Sequence, residues 1–208
     1  MAGEFSMDLA ALRARLPAQP PALPLAPARG DYDLNPSART QTPRQLLPAA
    51  VLLPIVLRSE PTMLFTKRSE HLRRHPGQVS FPGGQVQDGD ASLVATALRE
   101  LTEETGIAAE FVSVAGFLDV YETGTGYAVV PVVGLLREGF SLAPDAGEVA
   151  HVFEVPLAFL LDSVNRQEHM LEWKGGMRRV HAFEYGTNYI WGVTASILVN
   201  LAERLLAP

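Results

Sequence analysis

The sequence predicts an α/β protein in which a mixed β-sheet carries helices on both faces. Short apolar runs of strand length recur from residue 49 onward, and two longer segments repeat apolar residues every three or four positions, as helices do. The sequence contains no internal repeat. With 208 residues, of which 47% are hydrophobic, the chain is long enough to bury a core as one domain.

The first 48 residues differ in composition from the rest of the chain, because they hold eight of its sixteen prolines together with many alanines. A short helix is predicted over residues 7–16, whereas the Pro-Ala stretch at residues 17–27 cannot form regular structure. We therefore expect an N-terminal arm over residues 1–48 and a domain over residues 49–208. The arm is interpreted either as a partly ordered tail or as a segment exchanged between two copies of the chain.

The domain is predicted to begin with two buried strands joined by a turn, followed by a long segment rich in glycine, proline and charge at residues 67–90. Strands are predicted, in order, over residues 49–57, 62–66, 111–118, 127–136, 149–155, 170–173 and 179–185. Helices are predicted over residues 91–105, 156–161 and 191–206.

The helix over residues 91–105 has the clearest boundaries in the sequence. Its apolar residues fall on one helical face, and Asp90 precedes it as the predicted N-cap. Gly106 follows it at a position where helices commonly end in a left-handed residue.

Three glutamates of this helix indicate a metal site. At about 100° per residue, Glu100, Glu103 and Glu104 fall within an arc of roughly 100° beside the buried face. They repel one another unless a cation lies among them, and hard divalent cations prefer oxygen ligands. Arg99 can reach Glu103 one turn later. A solvated acidic face is the competing interpretation, but negative charge near a helix C-terminus is unfavourable, which supports a site.

The segment before the helix contains a Phe-Pro-Gly-Gly loop at residues 81–84. Pro82 stiffens the chain, while Gly83 and Gly84 allow the backbone to approach a ligand closely. An ordinary turn is the alternative interpretation of these residues.

A basic cluster lies upstream of this loop in an otherwise acidic chain. Guanidinium groups bind phosphate oxygens, so a basic cluster next to carboxylates suits an anionic substrate bridged by metal. An exposed charged loop is the alternative. The cluster comprises Lys67, Arg68, Arg73 and Arg74.

The composition excludes several classes of protein. A net charge of −6 provides no basic field for nucleic acid, and the absence of cysteine excludes disulfides, zinc–thiolate sites and a cysteine nucleophile. The longest apolar run, at residues 49–57, is about half the length needed to span a bilayer. No signal peptide is recognisable, so we expect a cytoplasmic protein without membrane or nucleic-acid partners.

Residues 99–107 resemble the second half of the Nudix hydrolase signature, which reads Arg-Glu-apolar-any-Glu-Glu-any-Gly-apolar, and they match it without exception. The first half departs from the pattern. Arg99 arrives one residue later than usual after Gly84, and the usual loop glutamate is absent, with Asp88 and Asp90 in that region. Asp90 is expected to substitute for it as a helix cap.

The insertion and the upstream residues resemble the coenzyme A pyrophosphatases, a Nudix subfamily. Their signature reads Leu-Leu-Thr-x-Arg-Ser, then Arg, Gly and Phe-Pro-Gly-Gly after successive gaps of three residues. This chain has Leu64-Phe65-Thr66-Lys67-Arg68-Ser69, then Arg73, Gly77 and Phe81-Pro82-Gly83-Gly84. The resemblance extends over residues 49–206.

The resemblance implies an α/β/α sandwich with a mixed sheet and a metal-dependent cleavage of coenzyme A to adenosine 3′,5′-bisphosphate and 4′-phosphopantetheine. Mg²⁺ or Mn²⁺ would be held by Glu100, Glu103 and Glu104 and a carbonyl of Gly84 or Gly83. A homodimer is also implied by the resemblance.

The same resemblance assigns further roles in the predicted site. The general base is expected either from the signature helix or from a later acid, for which Glu148 is the candidate and Glu122 the second choice. Substrate contacts are expected from Lys67, Arg68, Arg73, Phe81, Gly83 and Gly84.

Two other functions compete with this prediction. One is a Nudix hydrolase of another nucleoside diphosphate derivative such as ADP-ribose, or of a nucleoside triphosphate. The other is a non-catalytic Nudix domain that senses a nucleotide.

Overall fold

The architecture combines a large mixed sheet, a smaller three-stranded sheet and helices packed on both faces of the large sheet. The computed structural model describes residues 8–38, 45–173 and 175–207. The strands in this part of the chain are β1 (Arg29–Gly30), β2 (Leu47–Val56), β3 (Thr62–Arg68), β4 (Val79–Ser80), β5 (Gly83–Gln85), β6 (Val112–Phe117), β7 (Tyr121–Glu122), β8 (Tyr127–Leu136), β9 (Val149–Pro156), β10 (Gln167–Trp173), β11 (Gly176–Tyr185) and β12 (Asn188–Trp191). The helices are α1 (Leu9–Ala14), α2 (Leu93–Thr105), α3 (Leu157–Leu161) and α4 (Val193–Leu206).

The large sheet runs in the order β1-β7-β8-β2-β3-β4, with β5, β6 and β9 paired to β2, β8 and β3. Its centre is the parallel pair β2 and β8, in register from Leu47 opposite Tyr127 to Val56 opposite Leu136. Strand β3 is antiparallel to β2 and to β9. The sheet is therefore mixed, as predicted.

Both faces of this sheet are covered, because alternate residues of a strand point to opposite sides. From β2, Leu53 and Ile55 enter a core shared with α3 and α4, while Leu52 and Val56 enter a second core shared with α2. Each fully buried aliphatic side chain of this kind contributes about 1.5–3 kcal/mol. The predicted α/β fold with helices on both faces is confirmed.

The smaller sheet is an antiparallel meander of β10, β11 and β12, and it leads directly into α4. The start of α4 is tied to the large sheet, since Thr194 Oγ1 donates to the carbonyl of Val79 at 3.1 Å. The meander therefore stands beside the Phe-Pro-Gly-Gly loop.

The boundaries of α2 differ from the prediction at one end. Ser92 is the N-cap, because its Oγ accepts from the amide of Ala95 at 3.1 Å. The prediction that Asp90 caps the helix is wrong; its carboxylate is engaged elsewhere, as described below. At the other end Gly106 adopts φ 75° and donates to the carbonyl of Thr102, as expected.

The described part of the arm packs against the domain of its own chain. Asp8 caps α1, and Leu12 and Leu16 are buried in the core that contains α4. Residues 17–27 contain no helix or strand, as predicted, and β1 then joins β7 in parallel. Residue 7, the predicted start of the arm helix, lies outside the described residues. Among the described helices, none is long and apolar enough to cross a membrane.

Candidate functional site

Glu104 is the most deeply buried carboxylate of the predicted site. Its side chain points from α2 towards the sheet, where Oε2 accepts from Thr66 Oγ1 at 3.0 Å and Oε1 accepts from the amide of Gly83 at 3.4 Å. Burial raises the pKa of Glu104 to about 7, although the hydrogen bonds from Thr66 and Gly83 act in the opposite direction. A cation placed against Glu104 would relieve this cost of burial.

Glu100 lies one turn earlier on α2 and packs against the backbone of Gly84. A Cβ on Gly84 would come within 2.6 Å of the Glu100 carboxyl carbon, so glycine is required for this contact. Burial raises the pKa of Glu100, Arg99 opposes the change, and the charges of Glu103 and Glu148 add to it. The loop and helix thus bring a carboxylate against half-buried loop backbone.

Arg99 organises the acidic residues around it. Its Nη1 donates to Glu100 Oε1 at 2.8 Å and to Glu103 Oε2 at 2.9 Å, which confirms the predicted contact one helical turn apart. Its other edge binds Asp90, from Nε at 3.0 Å and from Nη2 at 3.1 Å. Arg99 therefore connects two carboxylates of α2 to the preceding loop.

Asp90 anchors that loop rather than capping the helix. Besides Arg99, its carboxylate accepts from the amide of Gln87 at 2.9 Å and from Thr96 Oγ1 at 2.9 Å. Arg99, followed by Gln87, holds the pKa of Asp90 well below its usual range. Asp90 thus ties the loop to α2 in a segment where the usual signature glutamate is missing.

The Phe-Pro-Gly-Gly loop is fixed against the sheet at both ends. Phe81 is buried and stacks on Phe65, with ring centroids 5.1 Å apart. A Cβ on Gly83 would lie 2.6 Å from the carbonyl oxygen of Ala50, so only glycine allows this approach to β2. The amide of Gly83 is consequently presented to Glu104.

The predicted basic residues occupy different environments. Arg68 ends β3, and its Nε is buried without a hydrogen-bond partner among the described residues. Lys67 Nζ lies 3.9 Å from Glu70, and Arg73 is exposed on the turn that follows. Only Arg68 of these three lines the cavity described next.

A cavity of about 790 Å³ opens beside the Phe-Pro-Gly-Gly loop. One wall is made by Arg68, Phe81 and Gly83, and further walls include most arm residues between Arg29 and Asn35, the β7–β8 segment, the β10–β11 hairpin and the start of α4. This volume lies within the ~300–1,000 Å³ of typical ligand pockets. Glu100, Glu103 and Glu104 are not among the residues that line it, although Glu104 accepts a hydrogen bond from the amide of the lining residue Gly83.

The predicted general base, Glu148, is exposed on the turn before β9. The carbonyl of Glu148 accepts from the amide of Ser69 at 2.9 Å, which links the turn to the basic segment. Its negative charge makes the smallest of the contributions that raise the pKa of Glu100.

The donor set on α2 suits a hard divalent cation, because it consists of carboxylates, one of them buried, beside the backbone of Gly84. In the part of the chain that the structure describes, no three acidic or histidine side chains converge as ligands do. Glu100 and Glu103 instead share Nη1 of Arg99, so a cation would compete with Arg99 for them.

Sequence reasoning missed the arm and the hairpin as walls of the cavity. Asp31 of the arm accepts from Tyr121 Oη at 2.9 Å and from the amide of Gly124 at 2.9 Å. Asn35 donates to the carbonyl of Arg179 in β11 at 2.9 Å. These contacts join segments that are far apart in the sequence, so no local sequence pattern could predict them.

Comparison with known proteins gives consistent matches. The family model of the NUDIX domain matches residues 46–174. A relative from Yersinia enterocolitica, described as an uncharacterized Nudix hydrolase NudL, is 44% identical over 158 residues, covering 76% of this chain and 80% of the relative. One from Photorhabdus laumondii with the same description is 45% identical over 157 residues, covering 76% and 84%.

Similarity to solved structures concerns the fold alone. A MutT/nudix family protein from Enterococcus faecalis superposes with a TM-score of 0.51 at 16% sequence identity. The match covers 81% of this chain and 65% of that protein.

Proposed function

The chain belongs to the Nudix family of pyrophosphohydrolases, and on that premise we propose that it cleaves coenzyme A to adenosine 3′,5′-bisphosphate and 4′-phosphopantetheine. Substrates typical of the family are nucleotide derivatives. The observation that carries the choice of coenzyme A is the motif running from Leu64 to Gly84, with its spacing of Arg68, Arg73, Gly77 and Phe81.

The contacts of this motif with the cavity and the acidic helix support the proposal. Thr66 and Gly83 hydrogen-bond Glu104, while Arg68 and Phe81 line the cavity. The motif is therefore in contact with both parts of the site. Arg68, whose buried Nε has no hydrogen-bond partner within the described ranges, would bind substrate phosphate. Arg73 and Lys67 remain candidates for the outer part of the substrate.

The acidic side of the site would be the metal centre. Glu100, Glu103, Glu104 and the carbonyl of Gly84 would hold Mg²⁺ or Mn²⁺, which polarises a pyrophosphate and lowers the pKa of an attacking water. Thr66 and the amide of Gly83 keep Glu104 aimed at the loop. Arg99 keeps Glu100 and Glu103 together before ligands arrive.

Glu148 is proposed as the general base for the attacking water. It is exposed on a turn, so it can accept a proton and pass it to solvent. The negative charge of Glu148 contributes to the raised pKa of Glu100, which supports a position of Glu148 near the acidic helix. A general base must lie within hydrogen-bonding distance of the water that it activates.

The test is a chromatographic assay of coenzyme A hydrolysis with Mg²⁺ or Mn²⁺, run beside ADP-ribose and with Glu103→Gln as control. We expect adenosine 3′,5′-bisphosphate and 4′-phosphopantetheine from the natural chain, with loss of both products in the variant. Cleavage of ADP-ribose but not of coenzyme A would support hydrolase activity and would refute coenzyme A as the substrate. Nucleotide binding without any cleavage would indicate a sensing domain.

A further inference from the structure

One part of the cavity, called the compartment below, is lined by residues that flank the matched range 46–174 and by Arg166, which lies within that range. The described lining includes Asp31 and Asp33 from the arm, Arg178 and His181 from β11, and Trp191 before α4. None of these belongs to the motif from Leu64 to Gly84. The compartment can therefore contact a part of the ligand that the motif does not.

The arm holds this compartment in shape. Tyr121 Oη and the amide of Gly124 both donate to Asp31, at 2.9 Å each, and Arg178 Nη1 lies 3.8 Å from the same carboxylate. The arm thus joins the β7–β8 turn to the hairpin. A wall fixed at both ends can hold side chains ready for a ligand.

Two polar groups in this compartment lack a hydrogen-bond or ion-pair partner among the described residues. Nδ1 of His181 is buried and makes no hydrogen bond to any described residue. Arg166 also lines the cavity, and it has no acidic partner among the described residues, whereas Arg178 and Arg179 are paired with Asp31 and Glu168. Burial without a partner is unfavourable for Nδ1 of His181, so a ligand atom would stabilise it, whereas the exposed Arg166 can meet a ligand without that cost.

The acids around His181 do not satisfy these two groups. Glu203 is bound by Arg29, Glu168 by Arg179, and Asp33 by the amide of Gly30. Burial lowers the pKa of His181, and the positive charge of Arg166 lowers it further. Arg166, which has no acidic partner in the part of the chain that the structure describes, and the imidazole of His181 together suit an oxyanion.

We propose that Arg166 and His181 form a subsite for a terminal phosphate monoester of the substrate, separate from the scissile pyrophosphate. The inference rests on the proposed function in one respect, namely that the ligand is a nucleotide derivative bound in this cavity. Arg166 supplies the charge, and His181 supplies a directional hydrogen bond. The subsite thereby distinguishes nucleotides that carry a second phosphate from those that do not.

The experiment is calorimetric binding of two probes to the full chain, adenosine 3′,5′-bisphosphate and adenosine 5′-monophosphate. Two charge-assisted hydrogen bonds predict that the natural chain binds the bisphosphate about tenfold more tightly, or better. Arg166→Gln is expected to abolish this preference while leaving monophosphate affinity within about twofold. His181→Leu should reduce the preference, and His181→Asn should restore part of it, because an amide can replace Nδ1.

Arg178→Gln is the matched control, since it removes the same charge from the same cavity at a residue already paired with Asp31. Any loss of affinity that Arg178→Gln causes should be equal for the two probes. A natural chain without preference for the bisphosphate, including one that binds neither probe, overturns the subsite. So does an Arg166→Gln variant that keeps the preference. These readouts need no catalysis, so a negative coenzyme A assay refutes the proposed reaction and leaves the subsite to be judged separately.

Discussion

Both carboxylate oxygens of Asp90 accept hydrogen bonds from Arg99, which reaches them with Nε and Nη2. The third nitrogen of the same guanidinium binds Glu100 and Glu103. The position of the two glutamates is therefore coupled to the loop before α2. The ion pair between Asp90 and Arg99 thus helps to position Glu100 and Glu103 on the helix.

Asp90→Asn tests this coupling. The variant weakens the bidentate pair, so Arg99 should shift towards Glu100 and Glu103 and make them poorer ligands. We expect hydrolytic efficiency to fall by about 10²-fold, a loss typical of small misplacements in active sites. Steady-state kinetics over a series of Mg²⁺ concentrations would measure it. Asp88→Asn removes the same charge from an exposed residue of the same loop and should change little.

Gly84→Ala separates the geometry of the site from the stability of the fold. The new Cβ would meet the end of the Glu100 side chain, which can move aside, so the backbone should remain intact. We expect kcat to fall about 10²-fold with a nearly unchanged melting temperature. Gly89→Ala is the matched control, because no atom lies within 4 Å of its added Cβ. Equal activity of the two variants would contradict the contact between Glu100 and Gly84.

Asp31→Asn tests whether the arm stabilises the fold. Loss of the charged acceptor shared by Tyr121 and Gly124 should reduce the free energy of unfolding by about 1–2 kcal/mol. Combined with Tyr121→Phe in a double-mutant cycle, it should give a coupling energy of about 1 kcal/mol. Urea denaturation measures both quantities. Strictly additive effects would show that the hydrogen bond between Asp31 and Tyr121 does not contribute.

The pH dependence of stability should include a contribution from Glu154. Its carboxylate accepts from Arg58 at 2.7 and 2.6 Å and from Thr62, and the hydrogen bond from Arg58 is the largest cause of its lowered pKa. Because the folded-state pKa lies below the ordinary 4.5, this contribution is present above pH 4.5 and is lost as the pH falls through the folded-state pKa.

The corresponding variant is Glu154→Gln, compared at pH 7 and pH 3. It should be less stable than the natural chain by about 1 kcal/mol at pH 7, and the difference should shrink at pH 3. Glu138→Gln removes a more exposed partner of the same Arg58 and should cost less. A constant difference across the pH range would mean that the carboxylate charge is not responsible.

Local patterns in the sequence predicted much of the fold and of the acidic helix. Every predicted strand and helix from residue 49 onward has a counterpart, because apolar periodicity reports which face a segment buries. The contact between Arg99 and Glu103 follows from helix geometry alone. The roles assigned to the site residues, and the division of the chain at residue 48, stay predictions.

The sequence-based predictions failed where side-chain partners outside the local pattern determine the structure, or where a strand is too short to show a pattern. Asp90 has the chemistry of an N-cap, but Arg99 and Thr96 bind it more favourably, and Ser92 takes over the cap. The short strands β1, β4, β5, β7 and β12 carry too few residues to show a period. Asp31 meets Tyr121 across ninety positions of sequence, and no local pattern encodes such a contact.

Part of the cavity wall lies in stretches of the chain that flank the matched domain, whereas the acidic helix lies within that domain. Asp31 precedes the matched domain, and Arg178, His181 and Trp191 follow it. Substitutions in those flanking stretches can accumulate without altering the helix that carries Glu100, Glu103 and Glu104. Substitutions at residues 29–35 and 178–191, whether natural or introduced in a mutant library, can thus change ligand specificity while the acidic residues of the helix are retained.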